Sequence, residues 1–223
     1  YQAIHPIIKP KFDDLKYATL FADIMCEVGI KDKNYEDIQK LQSEILGQIS
    51  SNFTILRDVN DTSFKLGIKM GGYSLQSKTD EMKELINETI QNFRLDEKDR
   101  INEITKMHIS GLEKSLTNAG HYFAMTSADA QMSSLGVISE VSGGISYLKN
   151  LKSLRLPDGN TDVQKLISIF QNLKNKIVIK PTSDVTVSSN DRKIVSSESD
   201  KILNQKLEDI TGISLYQDDS AWL

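Results

Sequence analysis

Residues 48–70 read QISSNFTILRDVNDTSFKLGIKM, and two strands are legible in them. The first ten residues are rich in β-branched and aromatic types. In SFKLGIKM (63–70) the alternation is clean, with Phe64, Leu66, Ile68 and Met70 pointing one way and Lys65 and Lys69 the other. That period of two predicts an antiparallel strand with one apolar and one wet face. Asn60-Asp61 supplies the connecting turn. A hairpin at this place in the chain sets the task of the helices around it, which is to cover its apolar face.

Upstream, Tyr1 to Ile8 alternates weakly and reads as a strand closed by Pro6 and Pro10. Residues 13–28 predict a helix apolar on most sides, through Leu15, Leu20, Phe21, Ile24 and Val28, with Gly29 as its stop. A second helix over 35–46 carries Ile38, Leu41 and Ile45 on one stripe and stops at Gly47. Downstream, Thr79 is a candidate cap for a helix over 80–92, and Asp96 for one running to about 117. The stripe of the latter is Ile101, Ile104, Met107 or His108, Leu112 and Leu116. Further helices start near Gly120, cover 144–154, and cover 161–173 with Thr161 or Asp162 as cap. IVIK (177–180) reads as a final short strand, followed by a helix around 199–210 and a linker tail. Strands bunch instead of alternating with helices. The expected fold is therefore two-layer α+β, several helices on a mixed, mainly antiparallel sheet. Residues 1–181 are expected to form one domain, and 182–223 a polar loop, helix and tail.

The 223 residues are 39% hydrophobic with a net charge of −4, enough apolar mass for a real core. Lys and Arg are interspersed with acidic residues, which argues against a nucleic-acid partner. The longest apolar runs fall short of the ~18 residues that span a bilayer, and YQAIHPIIKP does not read as a signal peptide. The absence of an initiator Met suggests a fragment of something longer. A lone cysteine, Cys26, lies in an apolar run and reads as a buried, inert thiol. Sequons at Asn52, Asn60 and Asn87 matter only in a secreted protein.

Candidate chemistry is sparse. His5, His108 and His121 are too far apart to share a helical turn, so neither H-E-x-x-H nor H-x-x-E-H is present and no zinc site is expected from this chain alone. Ser127, His121 and Asp129 fall within nine residues, but on one helix they point to different faces. His108, on the edge of an apolar stripe, reads as a packed histidine. Gly71-Gly72 is expected to bend a strand, and Gly143-Gly144 to permit tight entry into the helix that follows. Neither pair fits a phosphate-binding loop.

Three stretches carry a resemblance. Gly120-His121 with Ala124 and Asp129-Ala130, then SEVSGGISYLKNL (139–151), are similar to the presequence-protease, or falcilysin-like, subfamily of the pitrilysin (insulin-degrading enzyme) zinc metallopeptidases. Its most specific part is Ser139, Glu140, Gly143, Gly144, Ser146, Tyr147 and Leu148. The run 19–50 and the turn FRLDEKDRI (93–101) follow the same pattern. Where members often carry two glycines after the second helix, this chain has Gly47-Gln48, which puts a backbone kink there in doubt. The resemblance implies four similar domains forming two hinged halves around a closed chamber, zinc and H-x-x-E-H in the first domain, and an assisting Arg and Tyr in the fourth. This chain resembles the third. The implied role is a non-catalytic chamber wall, inactive alone, with zinc in the full-length protein. Partners would be the remaining domains and unfolded peptides, with neither nucleic acid nor membrane, in a bacterial cytoplasm or an organelle matrix. The motif residues, Gly120 and His121 included, are then structural, with His121 packing or capping a helix start. Alternatives are an inactive scaffold or partner subunit of a two-chain peptidase, and an unrelated α+β binding module.

Overall fold

The computed structural model describes residues 2–4, 7–8, 12–57, 64–157 and 159–178. The helix expected around 199–210 and the turn at Asn60-Asp61 lie outside them. The hairpin forms as its alternation requires. β3 (Gln48–Arg57) and β4 (Phe64–Tyr73) pair antiparallel in a register that sets Ser51 against Met70 and Phe53 against Ile68. On its other side β4 pairs with β1 (Gln2–Ile4) and then β2 (Ile7–Ile8), and β2 pairs with β5 (Ile177–Val178). Among the described residues every ladder is antiparallel, so the expected mixed sheet is corrected to a purely antiparallel one. β4 continues through Gly71 and Gly72, which take part in the pairing with β1 and β3.

The apolar face of this sheet is covered by α1 (Phe12–Met25), which packs on β3 and is in turn surrounded by other helices. Burial on most sides explains why its sequence is apolar on most sides. Leu20, Phe21, Ile24 and Met25 are fully buried. The Phe21 ring sits 5.6 Å from Phe93 and 5.4 Å from Phe170, joining three segments far apart in sequence. The helix ends at Met25 and not at Val28, because the chain must then turn. Here Glu97 accepts hydrogen bonds from the main-chain N–H of Gly29 (2.7 Å) and of Tyr35 (3.0 Å). Lys31 is left-handed, with φ of 51°. The FRLDEKDRI turn is thus hooked onto the α1–α2 corner.

Around this core run α2 (Tyr35–Ile45), α3 (Thr79–Asn92), α4 (Lys98–Asn118), α5 (Gly120–Asp129), α6 (Ser134–Gly143), α7 (Ile145–Lys152) and α8 (Val163–Lys174). Two expected caps are wrong. Thr79 is already helical and bonds back to Gln76, and Asp96 is held by Arg94 while Glu97 takes the N-cap position. Asp162, not Thr161, caps α8 through the N–H of Lys165. The α4 stripe also needs correction: Ile109 is fully buried, whereas Met107 is 65% exposed. Helix α6 was not foreseen, because SLGVISEVSG holds two glycines and three β-branched residues, poor helix formers in isolation. Ser133 caps it by accepting from Gly136 N–H, and burial of Ile138 outweighs the weak propensity.

Candidate functional site

The run 139–151 forms a joint between α6 and α7, with Glu140 as its hub. That carboxylate, on a residue only 9% exposed, accepts from the main-chain N–H of Ser146 (2.9 Å), from Ser146 Oγ (3.0 Å) and from Ser127 Oγ (3.1 Å). A negative group at the start of α7 satisfies an orphan N–H and complements the helix dipole. Gly144 makes room for it. A Cβ there would lie 2.0 Å from Glu140 Oε2 and 2.9 Å from the Glu140 Cα. The backbone at Gly144 has φ −90°, so the demand for glycine is steric and not conformational. Gly143 has open space around its Cβ direction, so of the expected pair only Gly144 is constrained. Ser139 is half-buried beside this hub, and Leu148 belongs to the core.

Tyr147 is fully buried, and its hydroxyl lies 3.0 Å from His108 Nε2. The other ring nitrogen, Nδ1, lies 2.9 Å from Asp23 Oδ2. Facing a carboxylate, Nδ1 donates, so Nε2 accepts from the Tyr147 phenol. Burial, with the Asp23 carboxylate adding to it, pushes the phenol well above its ordinary 10.0 and keeps it a donor. Asp23, His108 and Tyr147 thus bolt α1, α4 and α7 together. His108 is a packed histidine. Its partners could not be read from spacing, although an aspartate inside the apolar run LFADIM was a signal.

The serine–histidine–aspartate set offered by the sequence is not brought together. Ser127 bonds Glu140, Asp129 accepts from Ser133, and His121 is exposed. Nor does His121 cap or pack the start of α5: Ala119 holds the cap position with no side-chain bond. Gly120 is the first residue of that helix and would meet nothing if it carried a Cβ. Gly136, which sequence reasoning missed, is the tighter glycine. Its Cβ would lie 2.3 Å from the carbonyl of Asp129, so α6 presses directly on the α5 backbone.

A cavity of about 370 Å³ lies between β3, α1 and α4, bordered by Asp23, Glu27, Ser51, Arg100 and His108. Cys26 also borders it, but burial first, then Glu27 and Asp23, push its thiol far above the ordinary 9.0, so it is no nucleophile at neutral pH. Among the described residues no three His, Cys, Asp or Glu side chains converge to hold a metal ion. His108 has both ring nitrogens engaged, so these residues do not fit zinc. No helix among them is long and apolar enough to cross a membrane.

Comparison with known proteins bears on residues 1–154, which match the family described as associated with subfamily C of the M-sixteen peptidases. The mitochondrial presequence protease of Drosophila melanogaster is 23% identical over 178 residues, 79% of this chain and 17% of that protein. The mitochondrial presequence protease of Schizosaccharomyces pombe is 26% identical over 162 residues, 72% of this chain and 16% of that protein. An uncharacterized protein of Borreliella burgdorferi is 25% identical over 200 residues, 87% of this chain and 20% of that protein. The chain therefore spans a sixth to a fifth of the length of these relatives.

Proposed function

The chain belongs to the family associated with the M-sixteen peptidases of subfamily C, and on that premise we propose that it is a non-catalytic part of a zinc metallopeptidase that encloses and degrades unfolded peptides, where it forms part of the chamber wall. The observation that carries this reading is how the run 139–151 spends its polar groups. The Glu140 carboxylate, the Ser146 hydroxyl and the Tyr147 phenol are all engaged in holding helices to one another. The stretch that carries the resemblance thus serves as a joint, and the chemistry falls to other segments of the parent. Zinc would be held there, where it supplies an activated water for amide hydrolysis. The partners are the remaining domains and peptide substrates, and the compartment is a bacterial cytoplasm or an organelle matrix.

The test compares this chain alone with the full-length protein that carries it, using metal analysis and cleavage of a fluorogenic unfolded peptide. The expected result is stoichiometric zinc and chelator-sensitive cleavage for the full-length protein, and neither for this chain. Zinc and cleavage by this chain alone would overturn the non-catalytic assignment. A full-length protein that is inert and metal-free would favour the inactive-partner alternative.

A further inference from the structure

We propose that the outer edge of β3, together with the cavity beside it, is a docking site for an extended peptide segment that carries a basic side chain. This deepens the chamber-wall reading, on which it rests only for where such a peptide comes from.

Among the described residues β3 pairs with β4 alone, so its other edge offers main-chain N–H and C=O groups with no ladder partner. Edge strands are ordinarily guarded by proline, lysine or other charges. In β3 the only such residue is Arg57 at its far end, and 48–56, QISSNFTIL, contain none. Residues 49–52 all border the cavity. Consecutive strand residues face opposite sides, so the cavity meets β3 along its edge and not on one face.

The cavity also carries an unmet demand. Ser51 is 6% exposed, and its Oγ has no hydrogen-bond partner among the described residues. A buried polar group left unpaired is costly, so natural structures rarely retain one without a reason. An incoming main-chain amide would supply the missing partner.

Charge selects the side chain. Glu27 is matched by Arg100, which also holds Glu103. Asp23 uses one oxygen on His108, a ring that donates to Asp23 and accepts from Tyr147, and its side chain remains 33% exposed. The surplus at the cavity is negative. Met107, largely exposed beside it, gives an apolar surface for the methylene stem of a lysine. Strand addition supplies affinity through main-chain bonds, and the side-chain pocket supplies preference.

The experiment measures fluorescence anisotropy of a labelled eight-residue Val/Thr peptide with one central lysine, titrated with this 223-residue chain. Two companions are its alternately N-methylated form and its norleucine form. N-methylation in the bonding register should weaken binding at least tenfold. Norleucine should weaken binding about fivefold to wild type and leave binding to Asp23→Asn unchanged, which controls for any local disturbance. Ser51→Ala should weaken binding while leaving stability to urea equal or higher, opposite signs that a purely structural serine would not give. No binding at millimolar chain, or undiminished binding of the N-methylated peptide, would overturn the proposal. The second outcome would mark a site for small cations. A dimer in sedimentation velocity that excludes the peptide would assign the edge to a second copy and also overturn it. None of these readouts depends on zinc or cleavage, so this inference can fail while the chamber-wall reading stands.

Discussion

Gly144→Ala tests the Glu140 joint most directly. The added methyl would lie 2.0 Å from Glu140 Oε2 and 2.5 Å from its Cδ, so the carboxylate must leave the start of α7. Three hydrogen bonds go with it. Ser146 is exposed and Ser127 half-buried, so their hydroxyls recover water and their loss counts little. The charged bond to the Ser146 N–H is worth about 1.5–3 kcal/mol, and the carboxylate's interaction with the helix dipole about 0.3–1 kcal/mol. The expected cost is therefore about 2–4 kcal/mol at neutral pH, read from urea unfolding followed by circular dichroism. Glu140→Ala should cost a similar amount. Once Glu140 is alanine, the two closest clashes are gone and the methyl at position 144 still meets the residue 140 main chain, 2.9 Å away at its Cα. Gly144→Ala should then add about 1 kcal/mol, the low end for an overpacked site, giving a coupling of at least about 1 kcal/mol in the double-mutant cycle. Additive costs, or a Gly144→Ala chain as stable as wild type, would refute the steric account of the motif.

Gly136→Ala should destabilise by about 2–3 kcal/mol, because its neighbour is fixed backbone, whereas Gly143→Ala should stabilise by up to about 1 kcal/mol by raising helix propensity in open space; equal effects in thermal melts would contradict the contrast. Stability should fall as pH rises through 9 and 10: the folded state keeps the Cys26 and Tyr147 protons while the unfolded chain releases them near the ordinary 9.0 and 10.0. The slope should approach about 1.4 kcal/mol per pH unit for each group, and Tyr147→Phe should remove the share above pH 10 at a fixed cost of about 1 kcal/mol. An unchanged alkaline slope in that variant would show that the phenol titrates normally. His121→Ala should change stability by less than about 0.5 kcal/mol, since the side chain is exposed and caps nothing; a larger drop in melting temperature would restore a packing role.

The hairpin, the buried α1 and the absence of paired histidines were legible because they depend on local periodicity and spacing. The alternation of Leu66, Ile68 and Met70 forces one face inward whatever surrounds it. Helix α6 was illegible for the opposite reason. Its propensity is weak, and contacts supplied by α1 and α5 make it form. The site was half legible. The residues of 139–151 stood out, but their division of labour did not. That Gly144 yields to Glu140, and that Tyr147 meets a histidine 39 residues away held by an aspartate on α1, are facts of three-dimensional proximity. Gly136, pressed on backbone, escaped because nothing in one sequence marks a close backbone approach.

The hook made by Glu97 has a consequence for the order of folding. Its carboxylate closes the corner at Gly29 and Tyr35 across 68 and 62 residues of intervening chain. Such a contact is reached only after a long loop has been closed, so the corner is a late event, formed after the hairpin and the local helices have assembled. Glu97→Ala should therefore accelerate unfolding and leave the refolding rate nearly unchanged in stopped-flow chevron plots. A refolding rate that drops with stability would place the corner in the folding nucleus instead.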